Sequence, residues 1–147
     1  PIKSITVMVQ KEAGTRLCAE PGTRDVGAVS IAVRYFAEPK LLFNVSRGSF
    51  MPVPNVDSCV IRLDLRDNPP DGVEDEKFFF KVVRGAFSQR RKNLSNSLSS
   101  SLGVDKLIVN EAISNAGLPE NIRPEQIKIE EFILVSNNLK KIIRNVQ

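Results

Sequence analysis

Hydrophobic positions near the start of the chain follow a strand pattern and then a helical one. Ile5 to Val9 is a short run rich in β-branched residues, typical of a buried strand, and Gln10 to Glu20 has helix-forming composition. An apolar spacing of i, i+3, i+4, i+7 then predicts a second helix that ends before Pro39. Its buried face would consist of Val29, Ala32, Val33 and Phe36.

Two more strand candidates follow the second helix, at Leu41 to Val45 and Val56 to Leu65. In the later one, Cys59, Ile61 and Leu63 alternate with more polar positions, which is the period of a half-exposed strand. The connection between them, Ser46 to Asn55, contains one glycine and two prolines. We expect it to be an irregular loop.

An acidic segment at residues 67–76 (DNPPDGVEDE) marks a change in the pattern. It contains two prolines and a glycine and has almost no apolar residues, so it predicts a linker. The boundary divides the chain into residues 1–66, with strands and helices, and residues 77–147, where only helical patterns occur.

The pattern of residues 77–147 predicts a small helical bundle. One apolar stripe consists of Phe79, Val82, Val83, Ala86 and Phe87, and a cationic stripe continues to Arg91 if the helix is unbroken. A Ser/Asn-rich helix carries Leu94, Leu98 and Leu102. Asp105 is expected to cap a helix that runs through Ala116, with Gly117 just beyond its end. A last helix from about Lys128 would bury Phe132, Leu139 and Ile143.

Composition excludes several classes of function. The 147 residues include no histidine, which excludes His-dependent nucleophilic catalysis and His-ligated metals. Cys18 and Cys59 lie far apart, so neither a zinc site nor a disulfide framework is expected. No apolar run reaches the roughly 18 residues of a membrane span, and no signal peptide is visible. We expect a soluble, cytoplasmic, monomeric protein without a membrane or metal partner. Because the chain opens at Pro1 without an initiator methionine, we also expect it to be a fragment of a longer protein.

The net charge of +4 is concentrated in one stretch. Residues 77–102 carry six basic and no acidic groups, whereas residues 103–147 carry six of each and residues 67–76 carry five acidic groups. The stretch 77–102 is therefore the candidate anion-binding surface. A solvated helix face is the simpler explanation of the same charges.

Four short motifs stand in order along the chain. They are Met8–Glu12 (MVQKE) with Arg16, Phe50–Ser58 (FMPVPNVDS), Phe87–Leu94 (FSQRRKNL) and Arg123–Glu125 (RPE). Together they resemble the C-terminal half of the small-subunit ribosomal RNA adenine N6-dimethyltransferases, the kasugamycin-resistance family. The F-x-P-x-P-x-V-x-S element is shared with the macrolide-resistance adenine methyltransferases of large-subunit RNA, whereas the Q-R-R-K element indicates the small-subunit branch.

The resemblance implies an S-adenosylmethionine-dependent enzyme that dimethylates two adjacent adenosines near the 3′ end of small-subunit rRNA. Its partners would be that rRNA and the small ribosomal subunit. The implied fold is α+β: the last strands and helices of a Rossmann-like methyltransferase domain, then a C-terminal helical bundle that binds RNA. The family's glycine-rich cofactor loop and N-L-P-Y-type element have no counterpart in this sequence. We therefore expect the cofactor site to lie largely outside this fragment and the fragment to be inactive alone.

The resemblance also assigns site residues. An adenine must leave its stack to be methylated on N6, and Phe50 resembles the ring that holds the flipped base. The alternative is that Phe50 only fills the core beneath its loop.

Basic residues in the later motifs suit phosphate contacts. Guanidinium groups bind phosphate oxygens bidentately, and each contact releases counterions, which favours this role for Arg90, Arg91 and Lys92. By family position, the further rRNA contacts would be Lys11, Arg16 and Arg123. The carboxylates receive no catalytic role, and Asp57 is expected to begin a strand through local backbone hydrogen bonds.

Two other functions remain open from the sequence. One is a non-catalytic RNA-binding or ribosome-assembly module, and the other is a macrolide-resistance methyltransferase. The ribosomal subunit that takes up the methyl group separates the second from the main interpretation.

Overall fold

Strands and helices occur together in the first half of the chain, and helices alone follow in the second half. The computed structural model describes residues 1–146 and shows an α+β fold. The chain divides into Pro1–Pro69, which we call the sheet unit, and Pro70–Gln147, which we call the helical unit. This division falls inside the segment 67–76.

The sheet unit contains the elements that the strand and helix patterns indicated. In chain order they are β1 (Ser4–Gln10), α1 (Lys11–Leu17), α2 (Ala28–Phe36), β2 (Ala37–Val45) and β3 (Ser58–Leu65). The connection from β2 to β3 is irregular except for a single 3₁₀ turn at Arg47–Ser49. β2 begins earlier than the apolar run suggested, because the chain becomes extended as soon as α2 ends at Phe36.

The three strands form an antiparallel sheet in the order β1-β3-β2. Ile61 in the central strand pairs with Val7 on one side and Leu41 on the other. The alternation predicted for β3 holds in its first half, where Cys59 and Ile61 are fully buried and Arg62 is exposed. It is lost beyond Arg62, since Leu63, Asp64 and Leu65 are all half-buried. A bulge between Leu41 and Phe43 interrupts the regular register of β2.

Helix α1 lies close against the sheet at Gly14. A Cβ added at this position would lie 2.1 Å from Cys59 Sγ and 3.3 Å from Val9 Cγ2. Two non-bonded heavy atoms cannot approach to 2.1 Å, so the packing of α1 on β3 depends on a residue without a side chain.

The buried face of α2 is not the face predicted from its apolar spacing. Val29 and Phe36 are exposed, whereas Ser30, Ile31 and Tyr35 are buried. Ser30 Oγ donates to Arg16 O at 2.5 Å, so a polar residue lies at the contact with the end of α1. Because a hydroxyl with a partner can be buried at little cost, the apolar pattern alone indicated the wrong side.

Up to Val146, the helical unit consists of four helices and one 3₁₀ turn. The helices are α3 (Glu76–Ala86), α4 (Leu94–Leu102), α5 (Lys106–Asn115) and α6 (Ile129–Val146), and the turn is Pro124–Gln126. The predicted core residues Phe79, Leu98 and Phe132 are fully buried, whereas Ile143 is only half-buried. None of the helices among residues 1–146 combines the length and apolar character needed to cross a bilayer.

Side chains cap three helices of this unit, α3, α4 and α5, at their N-termini. Asp105 Oδ1 accepts from Leu107 N at 2.8 Å, as predicted, and Asn93 Oδ1 accepts from Asn96 N at 2.9 Å. Asp75 accepts from Phe78 N and also forms an ion pair with Lys140, which links the start of α3 to α6. Gly117 has a φ of +77°, which fits the position predicted just beyond the end of α5.

Candidate functional site

Phe50 lies in the loop that joins β2 to β3, which we call the Phe50 loop and define as Ser46 to Asp57. Its side chain is half-buried, and the next residue, Met51, is 97% exposed. Backbone hydrogen bonds shape the start of the loop: Ser49 N donates to Ser46 O, and Phe50 N donates to Arg47 O. The ring is therefore held in a short, structured turn at the protein surface.

The two ends of the Phe50 loop are joined by polar contacts. Asp57 Oδ1 accepts from Arg47 N at 2.9 Å, and the Arg47 guanidinium donates through Nη1 to Asn55 O at 3.3 Å. The carbonyl of Asp57 accepts from Lys11 N, the first residue of α1, at 3.0 Å. The expectation that Asp57 makes local bonds at the start of β3 is wrong, because its carboxylate reaches back ten residues to close the loop.

A groove of about 450 Å³ lies beside the base of this loop in the sheet unit. Four of its lining residues belong to the loop, and the others come from the end of β1, from α1 and from position 25. They are Gln10, Lys11, Glu12, Thr15, Arg16, Asp25, Arg47, Asn55, Val56 and Asp57. The structure therefore brings Lys11 and Arg16 together on one groove, next to the loop that carries Phe50.

Of the three basic residues that line the groove, Arg16 forms an ion pair, whereas Lys11 and Arg47 form none with the described residues. Arg16 forms an ion pair with Glu12 at 3.7 Å, a contact between exposed groups of the kind that contributes little to stability. Lys11 and Arg47 form no ion pair with any residue that the structure describes. The Lys11 side chain is available to an anionic ligand, and Arg47 keeps the guanidinium donors that its bond to Asn55 O does not use.

Arg47 is a groove residue that the sequence did not single out. It lies in a stretch that reads only as irregular, and no periodic pattern or motif points to it. The only feature of the sequence that could have indicated Arg47 is that it is a basic residue three positions before Phe50.

Arg90, Arg91 and Lys92 lie outside any helix. The expectation that the cationic helix continues to Arg91 is therefore wrong. Helix α3 ends at Ala86, and residues 87–93 form turns before α4 begins. At this end Ser88 donates to Gly85 O through both its hydroxyl, at 2.7 Å, and its backbone N–H, at 3.2 Å. Asn93 caps the following helix, so the basic residues are confined to a short exposed turn.

The structure brings Arg123 to this basic turn. Arg123 Nη2 donates to the carbonyl of Arg90 at 3.1 Å, although the two residues are 33 positions apart. Its Nε also lies 3.9 Å from Glu125 Oε2, a loose ion pair too long for a hydrogen bond. The helical unit therefore carries a cluster of four basic residues, Arg90, Arg91, Lys92 and Arg123.

Ionisable groups with shifted pKa values lie outside the groove and the basic cluster. A hydrogen bond from Arg62 at 2.6 Å, assisted by Lys40, holds the pKa of Asp64 below its usual range. The ion pair with Lys140 and the Phe78 N–H lower the pKa of Asp75. Burial raises the pKa of the Cys18 thiol. These groups make structural contacts, and none is arranged for acid–base chemistry at Phe50.

The described residues do not fit S-adenosylmethionine. β1 runs directly into α1 at Gln10–Lys11, and neither β2 nor β3 is followed by a glycine-rich turn leading to a helix. Among residues 1–146, no group of three or more Cys, Asp or Glu residues is placed to hold a metal ion.

Comparison with known proteins gives a consistent match. The model of the family described as "Ribosomal RNA adenine dimethylase" matches residues 1–141. The Ribosomal RNA small subunit methyltransferase A of Alkaliphilus oremlandii is 46% identical over 142 residues, which are 96% of this chain and 50% of the relative. The protein of the same name from Bacillus cytotoxicus is 47% identical over 95% of this chain and 49% of its own length.

Solved structures show the same fold at lower identity. A dimethyladenosine transferase from Plasmodium falciparum superposes with a TM-score of 0.71 at 20% identity, over 96% of this chain and 58% of the other. The 23S rRNA methyltransferase ErmE gives a TM-score of 0.64 at 21% identity, over 95% and 55%. This chain spans about half the length of the curated relatives that it matches.

Proposed function

The chain belongs to the ribosomal RNA adenine dimethylase family, and from that premise we propose that it is the RNA-facing part of a small-subunit rRNA adenine dimethyltransferase. The whole enzyme transfers methyl groups from S-adenosylmethionine to N6 of two adjacent adenosines near the 3′ end of that rRNA. It acts on the small ribosomal subunit in the cytoplasm as a monomer. The cofactor is bound by residues outside this chain, and the chain alone is inactive.

The surface of the sheet unit supports the proposal that this chain is one part of a larger enzyme. β1 pairs with β3 on one side only among the residues described, and apolar side chains on the sheet such as Met8, Leu41 and Phe43 are exposed. Open edges and apolar faces of this kind are normally covered by further strands or helices. We infer that residues 1–66 complete a Rossmann-like domain, that residues 67–76 link it to the next domain, and that residues 77–147 form an RNA-binding domain.

The Phe50 loop beside its cationic groove carries the proposal. A flipped adenine needs an apolar surface for its ring face, and Phe50 offers one in a loop whose shape is fixed by hydrogen bonds. Lys11 and Arg16, in the adjoining groove, bind the phosphates that flank the base. The basic cluster of the helical unit, Arg90 to Lys92 with Arg123, provides further phosphate contacts.

The first experiment supplies methyl-labelled S-adenosylmethionine and isolated ribosomal subunits to the full-length protein. We expect label in the small subunit. Label in the large subunit alone would refute the proposal and favour a function like that of the 23S rRNA methyltransferase to which the fold is similar. RNA binding by a full-length protein that never transfers label would favour the non-catalytic module.

A second experiment tests the stacking role of Phe50. Phe50→Ala in the full-length protein should lower affinity for the small subunit by about 5- to 150-fold, because stacking is worth roughly 1–3 kcal/mol. It should depress methyl transfer further still, because the base is no longer held in position. Met51→Ala is the matched control, since it removes a neighbouring side chain that is 97% exposed. Unchanged turnover in Phe50→Ala would return this ring to a packing role.

A further inference from the structure

The Phe50 loop is tied across its base by one side chain from each end. Arg47, near the start, donates through its backbone N–H to the Asp57 carboxylate and through its guanidinium to the carbonyl of Asn55. At the end of the loop, the Asp57 carboxylate accepts from Arg47 N, and the Asp57 carbonyl accepts from Lys11 N. These contacts connect the return of the loop, the turn before Phe50 and the start of α1.

The position of Phe50 depends on this tie. Phe50 N donates to Arg47 O at 3.3 Å, so the residue that Asp57 holds is the residue on which the Phe50 backbone rests. The following residues of the loop add little packing to hold it, because Met51 is 97% exposed and Val53 is 60% exposed. A stacking ring on a loop must be fixed before the base arrives, since ordering the loop on binding would consume part of the stacking energy.

We propose that Arg47 and Asp57 are positioning residues that hold the Phe50 loop in its stacking conformation. This inference rests on the proposed stacking role of Phe50. Neither residue needs to touch the base. Asp57 acts through the Arg47 N–H, and Arg47 acts through Asn55 O and through its own carbonyl.

A competing role exists for Arg47, because it also lines the groove with Lys11 and Arg16. A direct phosphate contact would make Arg47 a binding residue in its own right. The two roles differ in their salt dependence. A phosphate contact changes the slope of log affinity against log salt by about 0.7 to 0.9, whereas positioning of an uncharged stack leaves the slope unchanged.

The experiment measures the affinity of the full chain for two RNA hairpins. One contains two adjacent unpaired adenosines, and the other has abasic sites at both positions. The ratio of the two dissociation constants isolates the contribution of the bases, and we expect about 5- to 150-fold for the unmodified chain. Phe50→Ala should bring the ratio close to one.

Asp57→Ala should lower the ratio in the same direction while the salt slope stays unchanged. Asp57→Asn should retain the ratio, because the amide oxygen can still accept from Arg47 N. Asp25→Ala is the matched control: it removes a carboxylate from the same groove at a position outside the loop. If Asp57→Ala fails to fold, Arg47→Met provides the test, since it keeps the backbone N–H and loses only the donor to Asn55 O.

The possible outcomes are distinct. A ratio of one for the unmodified chain would remove the stacking role of Phe50 and this inference with it. A large ratio that Asp57→Ala leaves unchanged would overturn the inference and leave the stacking role intact. An unchanged ratio with a smaller salt slope in Arg47→Met would make Arg47 a phosphate contact instead.

Discussion

Replacing Arg90, Arg91 and Lys92 together with alanine should weaken RNA binding without unfolding the helical unit. All three side chains are exposed on the turn between α3 and α4, and none forms an ion pair or a side-chain hydrogen bond among the described residues. The contact with Arg123 uses the carbonyl of Arg90, which alanine keeps. Exposed substitutions of this kind usually change stability by less than about 0.5 kcal/mol.

The size of the effect follows from counterion release. Each lost phosphate contact lowers the magnitude of the salt slope by about 0.7 to 0.9, so three contacts lower it by roughly 2 to 3. At about 0.15 M salt, the same slopes correspond to an affinity loss of roughly 50- to 150-fold. The assay is a filter-binding or fluorescence titration of the chain on small ribosomal subunits at several salt concentrations, paired with a thermal melt.

The matched control is the triple variant Lys77→Ala, Lys81→Ala and Arg84→Ala. It removes the same charge from exposed positions on α3, outside the basic turn. If net charge alone attracted the RNA, both triple variants would lower the slope equally. An unaltered slope in the Arg90, Arg91 and Lys92 variant, with a lower melting temperature, would refute the phosphate role and make the turn a structural element.

Three further predictions concern packing, acid stability and the cofactor. Gly14→Ala should destabilise the sheet unit by roughly 1–3 kcal/mol in urea unfolding, because the new Cβ would lie 2.1 Å from Cys59 Sγ, and adding Cys59→Ala should recover part of the loss. Because Lys140 keeps the pKa of Asp75 low, the stability this carboxylate provides is present above about pH 4 and is lost as the pH falls through its folded-state pKa. Circular dichroism during acid titration should therefore show a smaller loss for Asp75→Asn than for the unmodified chain; an equal loss would contradict the role of this ion pair. Calorimetry of this chain with S-adenosylmethionine should show no micromolar binding, and such binding would place the cofactor site within this chain.

The sequence predicted the elements whose signals are local. The alternation along β3 identified its buried side, and Asp105 and Gly117 marked the two ends of α5, because strand period and helix caps depend on residues a few positions apart. The resemblance assigned Phe50 to a functional loop, and the structure gives that loop a definite shape.

Features that depend on distant partners were missed. The buried face of α2 includes Ser30, whose burial requires the carbonyl of Arg16, fourteen residues earlier. The contact between Asp57 and Arg47 spans ten residues of irregular chain, for which no periodicity exists. The end of α3 was also missed, because arginine and lysine favour helices, whereas the Ser88 hydroxyl bonds Gly85 O where the helix ends.

The unpaired side of β1 has a practical consequence for the chain in solution. This strand leaves a row of backbone donors and acceptors without strand partners among the described residues, and Val7 and Met8 on it are exposed. Such an edge is a template for another chain, and Lys3 and Lys11 at its two ends give only modest charge repulsion. We therefore expect the isolated chain to self-associate edge to edge at high concentration, which would limit the concentrations at which its RNA affinity can be measured.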